Sequence, residues 1–246
     1  MTMFKKLLIA AAFCVTSAAA HADFLGLYAG VGYWREGFSG NVIQGVSVAN
    51  ELGAGTNNGN YIYVALEHPI PLVPNIKVAR TSIDVSGAGT LNTSFVYQGQ
   101  TFNANQQVNS KINLTNTDVT LYYQLLDTGV NLDVGLTGRF VQGEVTVDTA
   151  TQDVKVTIPM VYAHAKMPLP MTHFYLDGNA NFVTYHGNTI SDLAVAVGWA
   201  ANLTLLPEVG VELGYRRFSI NVDQAQANVN VDTAIDGVFL NVTGHF

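Results

Sequence analysis

Three residues in one short stretch of the chain have side chains that could cooperate in hydrolysis. His186 is followed closely by Ser191 and Asp192. A histidine can accept the proton of a serine hydroxyl while a carboxylate orients the imidazole, which is the basis of nucleophilic acyl transfer. That chemistry depends on mutual geometry, and neighbours of these types arise easily at a polar hairpin tip. We therefore expect a polar turn and no catalytic residues, with a lipid-acting hydrolase centred on His186 as the minor alternative.

The spacing of potential metal ligands does not indicate a metal site. Zinc sites place their ligands a few residues apart, whereas the histidines beyond the N-terminal segment are scattered. The aspartates between the periodic segments do not follow the spacing of a calcium loop. We expect neither a metal nor another cofactor. The histidines in question are His68, His164, His173, His186 and His245.

A different set of polar residues alternates with apolar ones along extended segments. In Val130 to Val141, Asp133 and Arg139 share one face with small polar residues, and the opposite face is almost wholly apolar. A face with charges of both signs suits a wet or salt-bridged interior, and an apolar face suits lipid. The same alternation recurs along the chain. The polar residues expected to line this interior are Glu67, Asp118, Asp133, Arg139, His164, Lys166, Asp177, Glu212 and Arg216.

Period-two alternation over about ten residues is typical of strands that cross a membrane as part of a barrel. Ten such segments predict a closed, antiparallel, up-and-down transmembrane β-barrel of ten strands, and eight is the alternative if two weak segments are loops. In hydrocarbon all backbone groups must be bonded within the protein, so the sheet has to close. The segments are Leu25 to Trp34, Tyr61 to Glu67, Ile76 to Val85, Asp118 to Leu125, Val130 to Val141, Met160 to Met167, Phe174 to Phe182, Asp192 to Ala201, Val209 to Arg216, and Gly237 to Phe246.

The connections between these segments fall into two classes. Short links, three of them with proline, alternate with links that are longer and polar, apart from the short link His186 to Thr189. Outer-membrane barrels have short periplasmic turns and longer outer loops, so both termini are expected on the periplasmic side. The short links are His68 to Asn75, Leu126 to Gly129, Pro168 to Met171 and Leu203 to Glu208. The predicted long outer loops are Arg35 to Gly59, Ser86 to Ser110, Gln142 to Thr157 and Asn221 to Val231.

Composition and the N-terminus agree with an exported membrane protein. Only 12% of the 246 residues are charged, and no apolar run is long enough for a membrane helix. Lys5 and Lys6, an apolar run and Ala20-His21-Ala22 form a secretory signal peptide, so we expect cleavage after residue 22 and a mature barrel over residues 23–246. The formal net charge of −7 argues against a nucleic-acid partner.

The last strand resembles the C-terminal signal of Gram-negative outer-membrane barrels, through Val238, Leu240, Val242 and the final Phe246. Residues 66–75 (LEHPIPLVPN) are similar to a turn in a family of small gammaproteobacterial outer-membrane barrels without an assigned activity. This resemblance implies insertion into outer-membrane lipid with help from periplasmic chaperones and the barrel-assembly machinery. It brings no catalytic residues.

We predict a monomeric outer-membrane barrel that is not an enzyme and has a structural or surface-interaction role. Eight to ten strands give an interior that side chains largely fill, or that holds one small ligand. A side-chain-filled lumen is the favoured expectation, with the outer loops as the contact surface. A narrow pore or carrier for small solutes is the alternative.

Overall fold

The computed structural model describes residues 25–42, 45–201, 208–224 and 229–246, and all the regular structure in these ranges is β. No helix in this part of the chain is long and apolar enough to cross a membrane. The expected signal peptide and most of the predicted turn Leu203 to Glu208 lie outside the described residues.

Ten long strands and three short ones make up the fold. The long strands are β1 (Gly26–Val42), β3 (Thr56–Glu67), β4 (Asn75–Thr90), β7 (Gln107–Asp127), β8 (Asn131–Val147), β9 (Ala150–Pro168), β10 (Phe174–Tyr185), β11 (Asn188–Ala201), β12 (Glu208–Gln224) and β13 (Val229–His245). The short strands are β2 (Val46–Ser47), β5 (Phe95–Tyr97) and β6 (Gln100–Phe102).

The ten long strands form one closed antiparallel barrel, which confirms the predicted fold class and the larger of the two strand numbers. Each long strand pairs with the next along the chain, and β13 pairs with β1. At this seam Leu27 and Phe246 exchange two backbone hydrogen bonds, of 3.1 and 2.9 Å between nitrogen and oxygen. We call the end of the barrel where Leu27 and Phe246 pair the base, and the opposite end the crown.

The prediction of long polar loops at the crown is wrong in its extent. In Gln142 to Thr157 and Asn221 to Val231 most of the described residues continue the strands instead, whereas in Arg35 to Gly59 and Ser86 to Ser110 only the ends do so. The barrel wall therefore extends well beyond the ten predicted segments. The prediction missed these extensions because their alternation is reversed. They keep the period of two, but their apolar residues point inward, whereas those of the predicted segments point outward.

The outward face of the wall is apolar near the base and polar near the crown. On β12, Val211, Leu213 and Tyr215 point outward and are followed on the same face by Arg217 and Ser219. Arg80 marks the same change on β4 and Gln142 marks it on β8. An apolar outer belt suits hydrocarbon, and a polar outer wall suits water. The wall therefore projects from the belt into water at the crown.

The inward face changes in the opposite sense at the same level. On β7, Asp118 and Asn116 point inward near the base side, followed toward the crown by Leu114 and Ile112. On β12, inward Arg216 is followed by Phe218. The interior is thus polar where the outside is apolar, and apolar where the outside is polar.

A lid covers the crown. It consists of residues 91–106, which carry the hairpin β5–β6 between β4 and β7. Phe95 and Phe102 stack with ring centroids 5.2 Å apart, and the buried side chain of Leu91 packs in the same cluster. Tyr97 of the lid also belongs to this cluster, and the remaining members come from residues 46–52 and from the outer ends of β7, β8 and β9. The lid therefore has its own apolar core against the barrel rim.

On one side of the barrel, two neighbouring strands end closer to the base than the rest of the wall does. The pairing of β9 with β10 begins at Val161 and Phe182, so residues 150–160 of β9 have no ladder partner on that side. β10 and β11 end in a short hairpin at Tyr185 and Asn188, while β9 continues to Ala150. This leaves a gap in the wall just beyond the apolar belt.

Replacing Phe246 with aspartate is expected to reduce the fraction of chains that form a closed barrel. The exposed Phe246 ring ends the apolar outer face of β13, and its backbone closes the seam with Leu27. A carboxylate there would place charge at the edge of the belt. Heat-modifiable migration and protease resistance after refolding into lipid vesicles measure the closed fraction. Phe246→Tyr is the matched control, and equal barrel yield from Phe246→Asp and the wild type would contradict the expectation.

Candidate functional site

The interior is closed at the level of the belt by an ionic cluster that we call the plug. The Arg139 guanidinium on β8 donates to both carboxylate oxygens of Asp118, at 2.8 and 2.7 Å, and to Asp192 at 2.6 Å. Arg216 on β12 donates to both oxygens of Asp192, at 2.8 and 2.6 Å, and to the Thr81 hydroxyl at 3.2 Å. The bond from Arg139 to Asp192 joins β8 to β11, and the bond from Arg216 to Thr81 joins β12 to β4. Neither pair of strands is adjacent, so these two bonds cross the lumen.

A second layer of polar pairs lies on the base side of the plug. His164 on β9 bridges Asp133 on β8 and Asp177 on β10, with nitrogen–oxygen distances of 2.8 Å on both sides. The Tyr122 hydroxyl donates to Glu67 at 2.9 Å, and the Tyr175 hydroxyl donates to Glu212 at 3.0 Å. Most of the inward charges are therefore held by direct partners on other strands.

Aromatic rings fill the space between these pairs. The Lys166 ammonium lies 4.1 Å from the centroid of the Tyr175 ring, and Lys77 lies 4.8 Å from that of Tyr63. The Tyr175 ring lies flat against Gly198, where a Cβ atom would come within 2.3 Å of ring carbons. A glycine is required there because any side chain would displace the ring.

Free space in the lumen is divided into three parts. A polar base cavity of about 500 Å³ opens below the second layer, and the plug leaves only about 110 Å³. Beyond the plug lies a crown cavity of about 450 Å³. The plug separates a polar compartment from an apolar one.

The crown cavity is lined almost entirely by apolar side chains. Its walls include Ile83, Ile112 and Phe218, which belong to the larger buried apolar cluster or pack against it. Apart from the tyrosine of the lid, the polar side chains among the described lining residues are Asn116, Gln152 and Thr233. Ligand pockets are typically concave and apolar with a few polar groups, so this cavity has the composition of a binding site.

The lid and the wall gap control access to the crown cavity. Phe95 and Tyr97 of the lid form part of its lining, and the Tyr97 hydroxyl donates to the Val145 carbonyl at 2.9 Å. Burial raises the pKa of the Tyr97 phenol, which keeps it a neutral donor. Val156 lies on the part of β9 that pairs with β8 but not with β10. It lines the cavity and is still 48% exposed. The cavity is therefore covered by the lid and open toward the gap.

The three hydrolase candidates do not come together. His186 and Gly187 form a two-residue hairpin turn with φ of 51° and 84°. The Ser191 hydroxyl bonds to that of Ser219 on the outward face, whereas Asp192 points inward to the plug. Because successive strand residues point to opposite faces, Ser191 and Asp192 cannot share one site.

The structure places all nine polar residues expected in the lumen on the inward face, with partners. Sequence reasoning left out Asp192 and Lys77 from this set, although both stand at inward positions of alternating segments. It also missed the crown cavity. The signal for it is the reversed alternation in residues 107–114 and 154–158, most of which fall in the predicted outer loops Ser86 to Ser110 and Gln142 to Thr157. The nine predicted residues that lie on the inward face are Glu67, Asp118, Asp133, Arg139, His164, Lys166, Asp177, Glu212 and Arg216.

Comparison with solved structures finds bacterial outer-membrane barrels. The outer-membrane protease OmpT from Escherichia coli is 11% identical, with 91% of this chain and 97% of that chain covered and a TM-score of 0.53. This is the fold of a bacterial outer-membrane β-barrel. The translocator domain of the autotransporter NalP from Neisseria meningitidis is 10% identical, with coverages of 99% and 96% and a TM-score of 0.41, which is too low to support an argument.

Identities near 10% show the fold alone, so no activity follows from these neighbours. No protein-family model matches the chain, and comparison with curated sequences found no match. Membership in the small gammaproteobacterial family indicated by residues 66–75 stays a prediction.

Proposed function

We propose that this outer-membrane barrel binds a small apolar molecule in its crown cavity and does not act as an open channel. The observation that carries the proposal is an apolar cavity of about 450 Å³ enclosed by a wall whose outer face is polar. With the base toward the periplasm, as the short turns predict, the crown projects outside the cell. The ligand would then reach the cavity from the outer side of the membrane.

An apolar interior alone would be explained by the need of the projecting wall for a hydrophobic core. Protein cores, however, are close-packed, with few voids larger than a water molecule. The crown cavity lies within the range of roughly 300–1,000 Å³ that is usual for small-molecule pockets. Apolar cavities hold water poorly and accept apolar molecules. Unfilled volume of this size therefore supports binding rather than packing alone.

The plug supports the expectation of a filled lumen over the alternative of a narrow pore. A hydrated ion entering from the crown would cross an apolar cavity and then displace the paired Arg139 and Arg216. Both crossings carry high desolvation costs. Planar-bilayer recordings of the purified protein should accordingly show no conductance steps, and regular steps would count against this part of the proposal.

A role in surface contact through free outer loops has less support. Residues 35–42 and 86–90 belong to β1 and β4, and residues 91–106 form the lid over the cavity. The proposal includes no catalytic step, because the hydrolase candidates point to different faces. The gap beside β9 lies next to the belt, and we propose it as the route by which ligand exchanges with outer-membrane lipid.

The test is binding of the apolar fluorophore N-phenyl-1-naphthylamine to the barrel in lipid nanodiscs, with empty nanodiscs as background. We expect one saturable site, and Val141→Trp should weaken it at least about tenfold by filling the cavity. Gln142→Trp is the matched control, since the next residue on β8 points outward into water. Absence of saturable binding to the wild type, or equal binding by both variants, would refute the proposal.

A further inference from the structure

The floor of the crown cavity carries a polar side chain, Asn116, that no described residue bonds to. Asn116 on β7 is only 4% exposed and lines the cavity. Its inward neighbours toward the base, Asp118 and Thr120, bond to Arg139 and Thr137. By contrast, no hydrogen bond joins the Asn116 side chain to any residue that the structure describes.

The position of Asn116 fixes the direction of a bound molecule. It stands between Thr81 on β4 and Val141 on β8, at the level where the interior changes from polar to apolar. Toward the crown the next inward residue on β7 is the apolar Leu114. A ligand that bonds to Asn116 would therefore extend its remaining atoms away from the plug, between apolar walls and toward the lid.

We propose that the ligand is an amphiphile with an uncharged hydrogen-bonding head and a single apolar body, the head seated at Asn116. This inference rests on the proposed function. A carboxamide offers two N–H donors and a carbonyl acceptor, which together suit a hydroxyl group. The Asn116 amide lines the cavity and has no protein partner among the described residues, so a ligand head can bond to it without breaking an existing hydrogen bond.

The charge of the cavity lining argues for an uncharged head. Among the lining residues that the structure describes, none is charged. The inward cations of the plug, Arg139 and Arg216, are neutralised by Asp118 and Asp192, and only the Nη1 of Arg139 has no partner among the described residues. A carboxylate or ammonium head would thus lose its hydration without gaining a counter-charge, which is strongly unfavourable in apolar surroundings.

The experiment is displacement of N-phenyl-1-naphthylamine from the barrel in nanodiscs by 1-decanol, n-undecane and decanoate, compared at equal concentration in the membrane. Undecane matches decanol in length with a methyl in place of the hydroxyl. Wild type should bind decanol more tightly than the other two. Asn116→Leu should weaken decanol about five- to tenfold, as expected for one hydrogen bond, and leave undecane equal or tighter.

Asn113→Leu is the matched control, because it makes the same change on the outward face of β7 and should alter neither ligand. Decanol affinity that survives Asn116→Leu, or tighter wild-type binding of decanoate than decanol, would overturn the inference while the fluorophore result still upheld the proposed function. Loss of fluorophore binding by the wild type would overturn both, so the two failures are distinguishable. Equal melting of the variants in nanodiscs shows that a loss is not caused by unfolding.

Discussion

Replacing Arg139 with methionine is expected to lower the free energy of unfolding by about 3–5 kcal/mol. The guanidinium is almost completely buried and bonds to Asp118 and Asp192 at once. Its removal leaves Asp118 without a partner among the described residues, inside a barrel where water is scarce. An uncompensated buried charge costs far more than the original pair contributed. Urea unfolding of the refolded barrel in lipid vesicles measures the difference.

Two further variants identify the cause of that loss. Arg80→Met removes an arginine from the outward face of β4, where it is exposed, and should change stability by less than about 1 kcal/mol. Arg139→Met combined with Asp118→Leu removes both charges of the pair and should recover much of the loss. A single Arg139→Met variant as stable as the wild type, or no recovery in the double variant, would show that the plug is not a coupled ionic cluster.

Replacing Leu213 with arginine is expected to destabilise the barrel by about 2–4 kcal/mol, because a charged side chain would face the middle of the bilayer. Leu213 is 63% exposed on the outward face of β12, between Val211 and Tyr215. In a soluble protein such an exposed position would tolerate arginine with little change. Unfolding in vesicles of defined lipid measures the size of the effect directly.

Asn221→Arg is the control for the Leu213 variant. It places the same positive charge on the outward face of the same strand, but closer to the crown than Arg217. Water surrounds that level of the wall, so the expected change is within about 0.5 kcal/mol. Similar losses at both positions would place the crown in lipid as well. A negligible loss at both would mean that the apolar belt does not face hydrocarbon.

The apolar residues face outward in the belt and inward in the crown, and this change explains both predictions and the presence of the cavity. Lipid outside the belt requires apolar outer residues, and the inward positions there carry the charges of the plug. Water outside the crown requires polar outer residues, and the wall then gains its stability from apolar inward residues such as Ile83 and Phe218. The crown cavity is the part of this apolar interior that the side chains do not fill.

Much of the architecture could be predicted from the residues alone. The alternation of Val134 and Leu136 with Asp133 and Arg139 marks a strand with one apolar face, and ten such segments give the barrel and its strand number. The inward position of each polar residue follows from the same period of two, because neighbours along a strand must point to opposite faces.

The sequence by itself thus determined which residues form the belt and which face the lumen within it. It did not reveal the crown, where residues such as Ile112 and Val154 continue the strands with reversed alternation, and this change of phase looks like a strand end. Only the tertiary structure decided which strands Arg139 and Arg216 contact across the lumen, and that the lid closes over a cavity. Alternation along one strand specifies which residues point inward and which point outward. The contacts across the lumen and the volume of the cavity depend on how ten strands are staggered around a common axis.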